Sequence, residues 1–548
     1  MRDCMERITE YLKPVLVVKD EGAENAVFLL ESERDQIHIN EPNVCTVAAG
    51  GYIVLDYGKE LHGGLRLLTR FGADNGAAEI RIRFGESVGE CFAETGERGE
   101  CAATNDHSPR DMRVCVPSIS DLTFGQTGFR FVKIDNLSQK AYGFVSALAA
   151  FTHIKETPVG SFSCDDEEVN KIFDVAAYTL YLNMQNGLWD GIKRDRLVWI
   201  GDMHPEVKGI LNLFGANPLV EKGLKESAEH NPVPEWITGM PSYSVWWLAI
   251  LCDYYYRTGR REFTLSQLPY MYEVLNLLNK FVTEDGRVDM TREGGGNEFC
   301  RYFLNWETSE EEGRESGFRG LLIFAARKCS ETLKDLKKDS SPADEIIKKL
   351  EKNAAFEGES KAVASLFALG YTPDEKAKRL LTEGGGNGFS TFISSYILNA
   401  LADMGKGEEG IAAMKEFYGG MLSRGATTFW ESYEPSWLEN SGRIDELTPE
   451  GKKDIHGSFG KYCYTGYRLS LCHGWACGPV PFLMERVLGV RFTSVGGRTV
   501  RIEPNLMGLK KASGKVQTAF GTIEVCHELR NGKIHTEYKL PEGVTIEK

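Results

Sequence analysis

No run in the sequence approaches the ~18 apolar residues of a membrane span, and the opening MRDCMERITEYLKPVLVVKDEG lacks the roughly 7–15-residue apolar stretch of a secretory signal. Positive charge is also short. Lys and Arg number 64 against 79 Asp and Glu, a formal net charge of −15. That balance disfavours nucleic acid or anionic membrane as a partner and leaves a neutral ligand open. Paired cysteine motifs are missing too: the 13 cysteines are odd in number, scattered, and never spaced CxxC. No disulfide framework is expected, and the thiols read as reduced ones in a cytoplasmic setting. Cys472 and Cys477 flank His473, but no fourth ligand stands at zinc spacing, so buried structural cysteines are the favoured reading. No metal and no organic cofactor is expected.

Length, glycine and aromatics are plentiful. The 548 residues exceed one hydrophobic core, and 58 glycines suit a loop-rich scaffold. From about residue 25 to 155 the pattern is β: AVFLLES, YIVLDYG, GLRLLTRFG, AEIRIRFGES, DMRVCVPS and FRFVKIDNL are short runs between turn residues. Near residue 160 the period changes. Ser163 or Asp165 reads as the N-cap of a first helix, and about a dozen helical segments follow, at 166–186, 205–214, 219–229, 242–258, 264–281, 315–336, 343–354, 360–369, 374–383, 389–404, 408–422 and 475–488. Six helical hairpins closed into a barrel would use that number. Beyond 490, TVRIEPN, GKVQTAFG, TIEVCHEL and KIHTEYKL return to strands. The expectation is a multidomain chain: an N-terminal β-sandwich over 1–157, an all-α (α/α)6 barrel over 158–488, and a C-terminal β-sandwich over 489–548. Two echoing loops, Glu293–Phe299 and Glu383–Phe389, lack the spacing of a phosphate loop and are read as loops at helix ends.

Chemistry concentrates in two stretches. Asp190-Gly191-Ile192-Lys193-Arg194-Asp195-Arg196-Leu197-Val198-Trp199-Ile200-Gly201-Asp202 packs three carboxylates, two arginines and a tryptophan between glycines. Far downstream, Gly425-Ala426-Thr427-Thr428-Phe429-Trp430-Glu431 sets one acid beside aromatics. Carboxylates among flat apolar rings are what glycoside hydrolysis needs: an acid, a base, and faces for sugar C–H groups.

These motifs, in this order, resemble those of the family 78 α-L-rhamnosidases. The family's D-x-P-x-R-[D]-E-R-x-G-W-x-G-D loop is matched by Asp190 to Asp202, and its G-A-T-x-x-W-E by Gly425 to Glu431. Trp306 after Asn305 resembles a D-W dipeptide, and Ser470-Leu471-Cys472-His473 an S-x-x-H that contacts sugar. Leu55–Gly64, Phe84-Gly85-Glu86 and Gly128–Phe131 look like its first sandwich, and Arg501–Pro504 and Phe520–Thr522 like its last domain. Two positions depart. Asp195 stands where the family carries its general-acid Glu, and Gly191-Ile192 replaces Cys-Pro, a change expected to reshape the pocket wall.

The resemblance implies an inverting α-L-rhamnosidase with Asp195 as acid and Glu431 as base, Glu434 being the fallback base. It implies substrate contacts from Asp190, Arg194, Trp199, Asp202, Trp306, Trp430 and His473. Each has a plainer reading: an N-cap for Asp202 before Met203-His204-Pro205-Glu206, core packing for any one tryptophan, a satisfied core histidine for His473. Trp236, Trp246 and Trp247 are further candidates for the pocket. The partner expected is a rhamnoside, with a homodimer left open. Competing functions are the same scaffold acting on another L-sugar or a rhamnose-linked uronide, a carbohydrate binder with a weak acid, and a phosphorylase using Arg194 and Arg196 for its anion.

Overall fold

A computed structural model describes residues 5–38, 42–70, 76–95, 109–462 and 464–547. Its first part is a seven-stranded sheet: β1 (Arg7–Leu12), β2 (Leu16–Glu24), β3 (Cys45–Thr69), β4 (Ala78–Gly85), β5 (Asp111–Val116), β6 (Asp121–Asn136) and β7 (Tyr142–Ile154). The order is β1-β7-β3-β6-β4-β5, with β2 added on β3. Apolar residues alternate along β4, where Ile80, Ile82 and Phe84 face the sheet's core beside Phe129, Val132 and Ile134 of β6. The run AVFLLES, expected as a strand, is instead the short helix α1 (Val27–Glu31) with Leu29 buried. The strands β1 and β2 precede the expected start of the β region, and the end of GLRLLTRFG at residues 71–72 lies outside the described residues. A second short helix, α2 (Val88–Phe92), follows β4 and is capped by Ser87, which accepts from Glu90 N.

The next element corrects an expectation. Ser161–Cys164 is a strand, β8, not a helix entry, and it pairs antiparallel with a strand near the C-terminus. Helix α3 (Glu167–Asn183) starts later, capped by Asp166, whose carboxylate accepts from Glu168 N and Val169 N. Asp165 is occupied elsewhere, accepting from Lys510 N and Lys511 N at 2.9 and 3.0 Å.

The helices then run α4 (Met203–Leu213), α5 (Pro218–His230), α6 (Pro241–Thr258), α7 (Arg261–Asn279), α8 (Arg314–Asp335), α9 (Ser341–Leu350), α10 (Lys361–Gly370), α11 (Glu375–Thr382), α12 (Ser394–Asp403), α13 (Gly407–Ser423) and α14 (Pro479–Phe482). Every expected helical segment has its helix except the last, which splits. Pro479 and Pro481 lack the donors an α-helix needs, so a 3-10 turn, α14 and a π turn follow one another. Packing runs from α4 to α6, α8, α10, α12 and α14, and α14 returns to α4. Helix α6 is buried nearly all round, Trp246, Trp247 and Tyr254 included, as a helix lining an interior must be.

The chain ends in β9 (Val490–Phe492), β10 (Thr499–Ile502), β11 (Lys511–Thr518), β12 (Gly521–Arg530), β13 (Lys533–Lys539) and β14 (Thr545–Ile546). They form a three-stranded sheet, β14-β10-β9, and a four-stranded one, β13-β12-β11-β8. Gly514 is required at the β8 contact, where a Cβ would stand 2.2 Å from Ser161 O. Val516, Ile523 and Val525 belong to the same hydrophobic cluster as the helices. No helix among the described residues is long and apolar enough to cross a membrane.

Candidate active site

The loop from Asp190 to Asp202 joins α3 to α4 and is closed on itself by backbone. Asp190 N donates to Leu197 O at 3.1 Å and Leu197 N returns a bond to the Asp190 carboxylate at 3.0 Å. Within that clasp Asp195 and Arg196 both take left-handed backbone, φ 51° each. Asp visits this region more readily than a longer side chain, because its short polar group bonds locally. The two residues diverge as a result. Arg196 turns to the N-terminal sheet, donating to Gln126 O at 2.6 Å, while Asp195 stays at the pocket, one quarter exposed.

Arg194 is the junction. Its Nε donates to Arg468 O at 2.8 Å, its Nη1 to Asp195 at 3.2 Å, and its Nη2 to Glu431 Oε2. One planar guanidinium therefore carries both carboxylates singled out for catalysis, a geometry only arginine supplies. Glu431 is further fixed by Ser470 N at 3.1 Å, and its own N–H donates to Ser470 O at 2.9 Å. Its Oε1 faces His473 Nε2 at 3.5 Å. Burial raises the Glu431 carboxyl above the ordinary value, with Arg194 pulling the other way. Glu434, the fallback, stands apart from this group. It is partly exposed, pairs with Lys461 at 2.5 Å, and does not line the pocket.

Arg194, Asp195, Glu431 and His473 line one pocket. Asp190 and Asp202 form part of its wall, both buried, and burial with the neighbouring carboxylates raises both well above the usual range. Asp202 stands at the N-cap position of α4, but its side chain makes no cap bond. It bonds the Tyr243 hydroxyl instead, so the capping reading fails. Gly201 permits this contact, since a Cβ there would lie 2.1 Å from the Tyr243 ring. Trp199 and Trp306 both line the pocket. Trp430 does not. It is fully buried among Tyr433 and its neighbours, which corrects its assignment as a substrate platform. Trp236, Trp246 and Trp247 are core residues as well: Trp246 stacks on His204 and Tyr396, and Trp247 donates to Leu224 O. Of the Gly191-Ile192 departure, Ile192 packs into the core of the N-terminal sheet, while Gly191 forms a β-bridge with His473 of the pocket wall.

Several lining residues carried no sequence signal of their own. Trp475 sits against His473 with ring centroids 4.2 Å apart and donates to Glu431 O at 3.0 Å. Met240, Tyr243, Phe303, Phe392, Tyr464 and Arg468 also line the pocket. Trp475 lies two residues from His473, and that proximity was its available clue. The remaining thiols near the site are structural: Cys477 Sγ lies 3.4 Å from Pro205 O, and Cys472 is buried beside Asn183.

The N-terminal sheet reaches into this region through the very segments singled out by motif. Arg130 pairs bidentately with Asp56 at 2.8 Å and donates to Gly425 O at 3.0 Å. Glu60 N donates to Thr427 Oγ1 at 2.9 Å. The loop that carries Glu431 is thus fastened to the sheet at its start.

Comparison with known proteins agrees with this picture. Residues 157–269 match the profile of the bacterial alpha-L-rhamnosidase 6 hairpin glycosidase domain, and residues 489–547 that of the bacterial alpha-L-rhamnosidase C-terminal domain. An alpha-L-rhamnosidase of Formosa agariphila is 34% identical over 82 residues, 15% of this chain and 8% of that protein. The GH78 family rhamnosidase of Bacillus sp. GL1 superposes with a TM-score of 0.71 at 21% identity, over 95% of this chain and 56% of that one. The Streptomyces avermitilis alpha-L-rhamnosidase complexed with L-rhamnose gives 0.72 at 17% identity, over the whole of this chain and 50% of its own. The chain therefore spans about half the length of these two solved relatives. The motif resemblance is met at both places: residues 157–269 and 489–547 are similar to the six-hairpin glycosidase and C-terminal domains of bacterial α-L-rhamnosidases, and the fold is that of family 78 rhamnosidase structures.

Proposed function

We propose that the chain is an exo-acting, inverting α-L-rhamnosidase that removes terminal L-rhamnose from small glycosides. The observation that carries this reading is the shared guanidinium of Arg194, which holds Asp195 and Glu431 at one pocket. Glu431, oriented by Ser470 N and Arg194, is the base that holds the attacking water, and Asp195 is the acid at the leaving oxygen. Asp190 and Asp202, favouring their protonated forms, can both donate to and accept from sugar hydroxyls. Met240, Phe303 and Phe392 offer apolar surface to the methyl and C–H groups of a 6-deoxy sugar.

The architecture proposed with it is a closed (α/α)6 barrel over 158–488 between β-sandwiches at 1–157 and 489–548. The return of α14 to α4 supports the closure, and the pairing of long β3 with β2, β6 and β7 supports an N-terminal sheet folded on itself. A cytoplasmic site of action remains part of the proposal.

The test is hydrolysis of p-nitrophenyl α-L-rhamnoside by wild type, Asp195→Asn and Glu431→Gln, with the product anomer read by NMR. Turnover lost in both variants and a first-formed β-anomer support the assignment. A first-formed α-anomer refutes inversion. A second reading rests on the short Asp195, set in left-handed backbone and paired with Arg194: a weakly catalytic carbohydrate binder, or a glycosidase for another L-sugar or a rhamnose-linked uronide. Rhamnose affinity without turnover would favour the binder, and turnover on a different aryl glycoside the altered specificity.

A further inference from the structure

Lys193, between the pocket loop's Ile192 and Arg194, is fully buried and points away from the pocket. Its ammonium lies 3.2 Å from Glu86 Oε2 and 3.0 Å from Glu90 Oε1, both carboxylates belonging to the N-terminal region at and after the end of β4. It also donates to Tyr467 O at 2.6 Å and Leu469 O at 3.1 Å. Glu86, Glu90 and His456 bring their ligand-type atoms together as a cation site would. The cation facing the two carboxylates is the lysine itself.

The segment from Tyr467 to Leu471 is consequently gripped along its length. Lys193 takes the carbonyls of 467 and 469, Arg194 takes that of 468, and His456 Nε2 lies 2.9 Å from Leu469 O. Glu86 accepts from Leu471 N at 2.7 Å and from the Ser470 hydroxyl at 3.3 Å. Ser470 in turn bonds Glu431 with both its N–H and its carbonyl. Lys193, Glu86 and His456 do not line the pocket, yet the bonds they begin end on the carboxylate that Arg194 shares with Asp195.

We infer that Glu86 and Lys193 are positioning residues: an ion pair between the N-terminal sheet and the pocket loop that sets the 467–471 segment, and through it the placement of Glu431. The inference rests on the glycosidase reading for its kinetic consequence but not for its structural one. A buried carboxylate and ammonium fixed by several hydrogen bonds give a defined geometry, whereas an apolar pair of equal volume would fill the space without directing the backbone. A displacement near 1 Å at a catalytic carboxylate is enough to cost about 100-fold in rate.

The test uses the full chain with Glu86→Gln, which keeps an acceptor for Leu471 N, and the double variant Glu86→Gln/Lys193→Met, which leaves no unpaired charge between these two positions. Hydrogen exchange is followed in peptides covering 190–202 and 464–474, with the outer strands β1 and β5 as internal reference. Exchange should rise at least roughly tenfold in both pocket peptides and stay unchanged in the reference strands, as expected for loss of a local restraint. On the aryl rhamnoside, kcat should fall about 100-fold with KM within a few-fold, and Glu86→Asp should recover part of it. Unchanged protection in the two peptides overturns the inference, whatever the activity. Normal kcat in a folded double variant overturns it equally. If wild type does not hydrolyse the rhamnoside, the exchange measurement still decides the clamp, and only the function proposed above falls.

Discussion

At position 194 a lysine would keep the positive charge and lose the fork. Arg194 reaches Asp195, Glu431 and Arg468 O through three different nitrogens, and an ammonium on a flexible stem cannot hold the same three in one plane. Arg194→Lys should therefore lower kcat by about 100-fold or more while the fold survives, measured as kcat against KM beside a melting curve. As the base proposed above, Glu431 should set the acid limb of the profile. Because burial raises its carboxyl, the base is protonated at a higher pH than an ordinary glutamate, and kcat/KM should decline on acidification from above the usual carboxylate range.

Glu206 makes the complementary point about stability. It is buried on α4, Oε1 has no hydrogen-bond partner, and burial with Asp202 and Asp190 raises it well above the ordinary value. The folded protein binds this proton more tightly than the unfolded chain. Stability from this group is therefore complete below the unfolded value, near pH 4, and drains away as pH climbs toward the raised folded value. Glu206→Gln removes the loss. Its Tm should exceed that of wild type at about pH 7 and converge with it near pH 4, read by melting across that range.

Among the elements, α3 depends on Asp166, which caps two backbone donors and pairs with Lys415 at 2.6 Å. Asp166→Ala should cost about 1–2 kcal/mol, seen as a lower Tm with unchanged activity. The sequence pointed three residues too early for this cap, at Ser163, or one, at Asp165. A four-residue strand carries almost no periodic signal of its own, and β8 exists only because β11 lies beside it. Long helices were legible because their apolar stripe repeats over several turns. AVFLLES was misread because a short apolar run suits either state. The acids and Arg194 were legible from motif spacing, and the structure gathers Asp190, Arg194, Asp195, Asp202, Glu431 and His473 into one pocket. The aromatic wall was not. Nothing local in Trp430 or Tyr243 says which way a ring points, and only packing buries the first and sends the second to Asp202.

Over the whole molecule, the three sequence regions are not separable bodies. Ile192 and Cys472 of the helical part lie in the core of the N-terminal sheet, and the C-terminal strands share the core of the helices. A chain stopped after Leu488 loses β11, leaves the edge of β8 open, and uncovers apolar helix surface. Such a truncation should give little soluble protein or a sharply lower Tm than the full chain, a comparison of expression and melting that a detachable C-terminal domain would not follow.

The β8–β11 pair also orders events during synthesis. Residues 161–164 leave the ribosome long before 512–515, their partners in the ladder. The growing polypeptide must carry an unpaired strand, and the helices threaded between, until β11 is made. Closing so large a loop is entropically expensive and slow. Completion of the pocket-bearing core thus waits for β11, and the chain should lean on chaperone protection until that strand has emerged.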